Sequence, residues 1–305
     1  MFRRRAAAAT ALRDAPMGIS SLGLACFATQ YLGYVALSTC IESAWYARDQ
    51  RRERGDAKEK DATSKSSSKI IPGKIQPKSA VCGTVRARPE DPWGFPLYQM
   101  IFRRFPREDG RTTHPRHRAY ASWNLFASSL FALAVGESVA RNRSSVYSSD
   151  APRAWCEWSG VLDAVLGFAA ATCWQSVLEY YWHRAMHWRW FYERLHKIHH
   201  FYVSPCAWCD LCIHPIEAFG YYCILYSPAW ALRMRDTSFV AYMILMGVCG
   251  VLDHCGIALK SFGSIYETSF HDAHHRTFFF NYAFPFDIMD RACGTLWRDG
   301  ATRRL

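Results

Sequence analysis

The sequence predicts an all-α integral membrane protein with about four transmembrane helices and a histidine-rich helical cap on the cytosolic side. Two observations predict it. Apolar residues are gathered into runs about as long as a bilayer core is thick, and histidines are gathered into tight clusters beside those runs. Pro16 to Cys40 carries no charge, and Ala119 to Ala140 contains one acid, Glu137. Gly160 to Trp182 has Asp163 and Glu179 towards its ends, and Thr237 to Leu259 is apolar until Asp253 and His254. A helix of about 20 such residues spans the hydrocarbon core, and four runs in one chain mark a multi-pass protein. Phe219 to Leu232 is a fifth run, short for a crossing at about 1.5 Å per residue. The mean hydropathy of the 305 residues is only −0.14 because polar segments separate the runs.

Taken in order, residues 1–47 read as a basic segment followed by the first membrane helix. The opening MFRRRAAAATALRDAP is rich in Arg and Ala and poor in acids, which suits the flank of a membrane helix or, alternatively, an organelle transit peptide. Residues 48–92 form a tract rich in Lys, Ser, Glu, Asp and Pro, read as a disordered linker or insertion. Residues 93–305 hold the remaining runs and nearly all the chemistry-bearing residues, and read as one membrane domain. The net charge of +11 sits beside apolar runs or in the linker. There it orients helices or meets anionic lipid, so no nucleic-acid partner is expected.

Arginines and parity set the expected topology. Six arginines between Arg103 and Arg118 favour the cytosolic side. From there Ala119 to Ala140 leads out and Gly160 to Trp182 leads back. The loop between them holds Asn142-Arg143-Ser144, a sequon compatible with the lumenal side. If the histidine clusters share one cavity, the chain between the second and third must go out and return.

Ten of the twelve histidines lie between His183 and His275. Eight form HRAMH (His183, His187), HKIHH (His196, His199, His200) and HDAHH (His271, His274, His275). On a helix, residues three or four apart share a face, so each cluster is expected to aim its imidazoles in a common direction. Eight imidazoles beside apolar segments would leave many buried lone pairs unsatisfied unless metal ions take them. His214 and His254 are candidates to complete the ligand set, and the acids Glu217, Asp253 and Asp272 are placed to orient ligands by accepting a ring N–H. His114 and His117, in the arginine-rich stretch, read as solvated. An all-imidazole cage of this size exceeds what a zinc hydrolase needs. It suits two iron ions and the reduction of O2, with zinc able to replace iron on heterologous expression.

Many of the twelve cysteines, among them Cys26, Cys40, Cys173 and Cys249, fall in apolar runs, where a thiol packs as a small hydrophobe. Cys206, Cys209 and Cys212 have the spacing of iron–sulfur ligands but no fourth thiolate at the expected distance. They are expected to be buried thiols on one helical face. Gly247, Gly250 and Gly256 miss the spacing of a dinucleotide fingerprint, so electrons must come from a separate carrier.

The order HRAMH, HKIHH, HPIE, DHCG, HDAHH and NYAFPFDIMDRACGT (Asn281 to Thr295) resembles the fatty acid hydroxylase and sterol desaturase superfamily of membrane di-iron enzymes. The resemblance covers roughly Gly160 to Trp297. It implies a four-helix membrane fold with a cytosolic cap, two irons, and O2-dependent oxidation of a lipid C–H bond. It also implies electrons from NAD(P)H through a haem or flavin protein, docking on the basic cytosolic face by charge complementarity. By position the box histidines become His183, His187, His196, His199, His200, His271, His274 and His275, with His214 and His254 at less rigid positions. The setting implied is the endoplasmic reticulum membrane with the site facing the cytosol, or an organelle membrane if residues 1–16 are a transit peptide. HPIE and the closing motif resemble sterol 4-methyl oxidases, whereas DHCG resembles sphingoid-base hydroxylases. A sterol is therefore the first expectation for the substrate, with sphingoid-base or fatty acid hydroxylation and sterol desaturation as alternatives. A histidine-lined metal transporter is the remote one. Its sites would sit at mid-depth, whereas these clusters adjoin Arg184, Arg189, Arg194, Lys197 and Arg276.

Overall fold

The computed structural model describes residues 18–46, 115–148, 158–201, 206–255, 260–261 and 266–297. The expected linker, most of the arginine-rich stretch, His114 and Gly256 lie outside the described residues, as does the side chain of His117. The described chain is mostly helical. Four helices carry it between the two ends of the molecule: α1 (Ser21–Cys40), α2 (Pro115–Ala140), α3 (Trp158–Met186) and, after shorter elements, α7 (Asp236–Asp253).

All four are long and apolar enough to cross a membrane, and only 17% to 44% of their most apolar windows is buried inside the protein. The outer faces explain the remainder. Leu24 and Leu32 on α1, Val161, Leu162 and Val165 on α3, and Val240 and Ile244 on α7 are exposed. Such apolar surface is stable only against lipid or another apolar partner.

Helix α1 starts at Ser20, whose hydroxyl accepts from the amide of Gly23 (3.0 Å) and donates to Glu137 Oε1 of α2 (2.6 Å). The two helices touch at Gly23 and Gly136, where a Cβ on Gly136 would come within 2.7 Å of Gly23 Cα. Small residues allow this approach where no hydrophobic force drives helices together. At 29 residues α3 is about 44 Å long, against a hydrocarbon core of about 30 Å. Its last turns, which bear His183, therefore project past the apolar layer.

Beyond α3 come α4 (Arg189–Arg194), a 3-10 turn at His196–Phe201 and another at Cys209–Leu211. Next are α5 (Pro215–Tyr226) and α6 (Pro228–Ala231). The fifth apolar run is thus split at Pro228, and α5 alone, at about 18 Å, is shorter than the hydrocarbon core, so α5 and α6 together carry the chain to the opposite end. With α7 it makes an out-and-back excursion, which satisfies the parity argument. At the turn of that excursion Met234–Arg235 (β2) pairs in parallel with Val146–Tyr147 (β1), and Arg235 Nε donates to Asp163 Oδ2 near the start of α3 (2.7 Å). The exposed Asn142 of the sequon lies at this end, opposite the histidines. The chain returns to the histidine end through a two-residue ladder, β3 (Lys260–Ser261) with β4 (Tyr266–Glu267), then α8 (Thr268–Thr277) and α9 (Ile288–Cys293).

Candidate metal centre

Nine of the ten expected histidines come together, in two adjoining sets. His183, His187, His196, His200 and His274 offer nitrogens that all lie within 4.8 Å of one another, and His199, His254, His271 and His275 do the same. The sets meet where the His200 and His275 rings are 4.6 Å apart.

The triplets do not aim in one direction, contrary to the sequence expectation. HKIHH gives His196 and His200 to the first set and His199 to the second, while HDAHH gives His271 and His275 to the second and His274 to the first. For HDAHH, on an α-helix, the reason is angular: at 3.6 residues per turn, positions i and i+4 differ by about 40°, but i+3 and i+4 by about 100°. HKIHH sits on a 3-10 turn, not an α-helix, and divides its histidines between the sets by how that turn is placed between them. Each triplet bridges two centres.

His214 belongs to neither set. It caps α5, its Nδ1 accepting from the amide of Ile216 at 3.2 Å. His254, which ends α7, is in the second set instead: its Nε2 lies 2.8 Å from His271 Nε2 and 3.2 Å from His199 Nε2.

Four of the outer ring nitrogens are fixed by partners. His183 Nδ1 donates to the carbonyl of Tyr282 (2.8 Å), His274 Nδ1 to that of Phe280 (2.7 Å) and His254 Nδ1 to that of Gly250 (2.8 Å). Glu217 Oε1 accepts from His196 Nδ1 at 2.5 Å, with both side chains fully buried. Each of these bonds puts the proton on Nδ1 and leaves the Nε2 lone pair facing inward, the arrangement that orients metal-binding imidazoles. His183 Nε2, His187 Nε2 and His274 Nε2 are buried without a hydrogen-bond partner among the described residues. Buried orphan acceptors are costly, and a divalent ion satisfies several at once.

Electrostatics points the same way. Burial first, then neighbouring imidazoles, holds His187, His199, His200, His271, His274 and His275 well below the ordinary histidine pKa. Burial also lowers His254, against the opposing charge of Asp210. Neutral imidazoles keep the lone pairs that metals need. The two sets can therefore hold metal ions, and their all-nitrogen donors fit iron, zinc or copper.

Of the acids singled out in the sequence, Glu217 orients a histidine, Asp253 faces Tyr266, and Asp272 lies on α8 between His271 and His274. Asp210, hidden between the cysteines, was the missed one: its Oδ1 is 3.7 Å from His254 Nδ1. Cys206, Cys209 and Cys212 are buried as expected, around a 3-10 turn, with the first two sulfurs 2.9 Å apart. They belong to neither set.

Residues 168–295 match the family model described as fatty acid hydroxylase. This segment of the chain is similar to the fatty acid hydroxylase family. Every histidine of both sets falls inside it. A methylsterol monooxygenase of Arabidopsis thaliana is 33% identical over 136 residues, 41% of this chain and 50% of that protein. A Delta(7)-sterol 5(6)-desaturase of Gibberella zeae is 28% identical over 116 residues, 38% of this chain and 33% of that protein. A very-long-chain aldehyde decarbonylase of Oryza sativa subsp. indica is 31% identical over 147 residues, 45% of this chain and 53% of that protein. The matched part of the chain thus spans a third to about half the length of these curated relatives. No solved structure matches the chain significantly.

Glu217 gives the metal centre a separable test. Glu217→Gln keeps the shape but replaces the carboxylate that accepts the His196 Nδ1–H hydrogen bond. Metal affinity is expected to fall about 10 to 100-fold, read by titration of the metal-free protein, with little change in helix content. Unchanged affinity would show that His196 is oriented by packing alone.

Proposed function

We propose that this protein is an O2-dependent di-iron oxidoreductase that hydroxylates a C–H bond of a membrane lipid, with a 4-methyl sterol as the leading substrate. The single observation carrying the reading is the pair of adjoining all-imidazole sets, five and four strong, at one end of four apolar helices. Iron held by His183, His187, His196, His200 and His274 and by His199, His254, His271 and His275 would supply the one-electron chemistry that O2 reduction requires. The protein's part is positional. Carbonyls of Gly250, Phe280 and Tyr282 and the carboxylate of Glu217 fix the imidazoles, and burial excludes bulk water.

Substrate access is supported by a cavity of about 120 Å³ that starts at His183, His199, His254 and His271 and continues between the helices past Leu225, Met243 and Met246. A lipid can present a carbon to the histidines there while its remainder stays among apolar side chains. The similarity to a methylsterol monooxygenase favours hydroxylation of a sterol. The similarity to a sterol desaturase favours a second reading, removal of two hydrogens from the same class of substrate. A transporter fits worse, because the histidines gather at the helix ends and not at mid-depth.

Electrons are proposed to come from NAD(P)H through a haem or flavin protein that docks at the arginines beside the histidines, Arg184, Arg189 and Arg194. The site is proposed to face the cytosol, on the endoplasmic reticulum membrane. The test is paired: metal analysis of purified protein, expected to show close to two irons per chain, and lipid profiling of cells with and without the gene. Accumulated 4-methyl sterols are the expected result. An unchanged profile of sterols and sphingoid bases with an iron-loaded protein would overturn the lipid oxidase reading.

A further inference from the structure

Inside the cavity, one turn of α3 before His183, sits an acid that the metal sets do not use. Glu179 lines the cavity together with Gln175, one turn further along. Gln175 Nε2 donates to Glu179 Oε2, and Gln175 Oε1 lies 3.0 Å from the Tyr242 hydroxyl of α7. The other carboxyl oxygen, Glu179 Oε1, has no hydrogen-bond partner and no cation beside it among the described residues. An ionisable group among membrane-spanning helices is costly to keep and marks a functional site by default.

Several other polar groups lining the cavity are engaged within the protein. Tyr34 donates to the Ala207 carbonyl, Tyr222 to that of Asn124, and Ser128 bonds Tyr226. Asp210 faces His254. Glu179 is different: one oxygen is locked by Gln175 and the other is free.

We propose that Glu179, held by Gln175 and Tyr242, is the specificity-determining group of this cavity and receives a free hydroxyl of the lipid substrate close to the carbon that is oxidised. This rests on the lipid oxidase reading and deepens it. A hydroxyl both donates and accepts. It can donate to Glu179 Oε1 while accepting the second N–H of Gln175 Nε2. An ammonium only donates and would leave that N–H unmatched. The rise from Glu179 to His183 is about 6 Å, so a hydroxyl bonded at Glu179 brings carbons a few bonds away up to the histidines. The alcohol of a 4-methyl sterol, adjacent to the methylated carbon, has this layout. Esterified or etherified lipids lack the donor.

The experiment measures binding, not turnover, using full-length protein in nanodiscs. The probes are a radiolabelled 4,4-dimethyl sterol with its hydroxyl free, the same sterol as its methyl ether, and octadecylamine. Wild type should bind the alcohol about 10-fold tighter than the ether, the factor one good hydrogen bond supplies. Glu179→Leu should bring the two within about 2-fold, and Glu179→Gln, which keeps an acceptor oxygen, should retain part of the preference. Equal binding of alcohol and ether by wild type, full discrimination by Glu179→Leu, or displacement of the sterol by octadecylamine as strong as by unlabelled alcohol would each overturn the hydroxyl assignment alone. Failure of every lipid to bind a metal-loaded, normally folded protein would overturn the oxidase reading with it.

Discussion

Replacing His274 with alanine is expected to lower both bound metal and lipid oxidation by at least about 100-fold, with the protein still inserted in the membrane. His274 is fully buried, its Nδ1 held by the Phe280 carbonyl at 2.7 Å, and its Nε2 has no hydrogen-bond partner among the described residues. Its ring lies 4.5 Å from that of His183, 4.7 Å from His187 and 4.9 Å from His200, so it closes the five-membered set. Changes to groups that merely orient ligands cost about 10 to 100-fold, and loss of a donor nitrogen should be no milder. His214→Ala is the informative companion. His214 stands outside both sets, so its loss should leave metal content intact and cost only a helix cap, about 1 kcal/mol. His114→Ala, in the arginine-rich stretch, should also be nearly silent. Elemental analysis and a detergent-solution activity assay on the three variants decide the matter. Full metal and full activity in His274→Ala would remove the basis of the two-set centre.

The contrast between His214 and His254 shows what the sequence could and could not reveal. Both stand next to a distinctive short motif, yet only His254 joins the cage. For His214 the signal was present: a residue before Pro at the first helical position, with Glu two residues beyond that Pro, reads as a helix N-terminus, and the cap uses Nδ1. The clusters themselves were legible because residues four apart on a helix share a face, which is why His183 with His187 and His271 with His275 fall in common sets. The partition of the triplets was not, since it depends on how the 3-10 turn and α8 face each other in space. Glu217 could be suspected as an acid near ligands. The carbonyls of Gly250, Phe280 and Tyr282 could not, because every residue has a carbonyl and only the fold decides which one meets an imidazole. Asp210 was masked by the cysteines around it. The apolar runs exposed the four long helices directly, but the shortness of α5 had to come from the break at Pro228.

The segment that supplies two of those carbonyls depends on Asp290, and Asp290→Ala is expected to be the most damaging change outside the histidines. Asp290 is 1% exposed. Its Oδ1 accepts from the Tyr282 amide (3.0 Å) and the Thr295 hydroxyl (2.7 Å), and its Oδ2 from the Ala283 amide (2.9 Å). Thr295 is tied in turn to the Tyr180 hydroxyl of α3 at 2.9 Å. One carboxylate thus clamps the turn from Asn281 to Ala283 against the helix that carries His183. Beside it, Asn281 at φ 60° bonds the carbonyls of Phe270 and Trp297 and accepts from the Trp297 amide. Alanine at 290 leaves two amides and a hydroxyl without their acceptor. At about 1 to 3 kcal/mol for each buried group left unsatisfied, the loss is a large part of a typical stability of about 5 to 15 kcal/mol. Because the Tyr282 carbonyl fixes the His183 tautomer, metal affinity should fall with stability, by about 10 to 100-fold. Thr295→Ala removes one of the three bonds and should show a correspondingly smaller loss of both. Asparagine at 290 should rescue little, since its NH2 would meet an N–H donor where a second carboxylate oxygen is needed. Thermal unfolding and metal titration of these variants provide the check. Asp290→Ala unfolding at the wild-type temperature with wild-type metal affinity would show that the closing segment is held by packing, and that the His183 tautomer is set elsewhere.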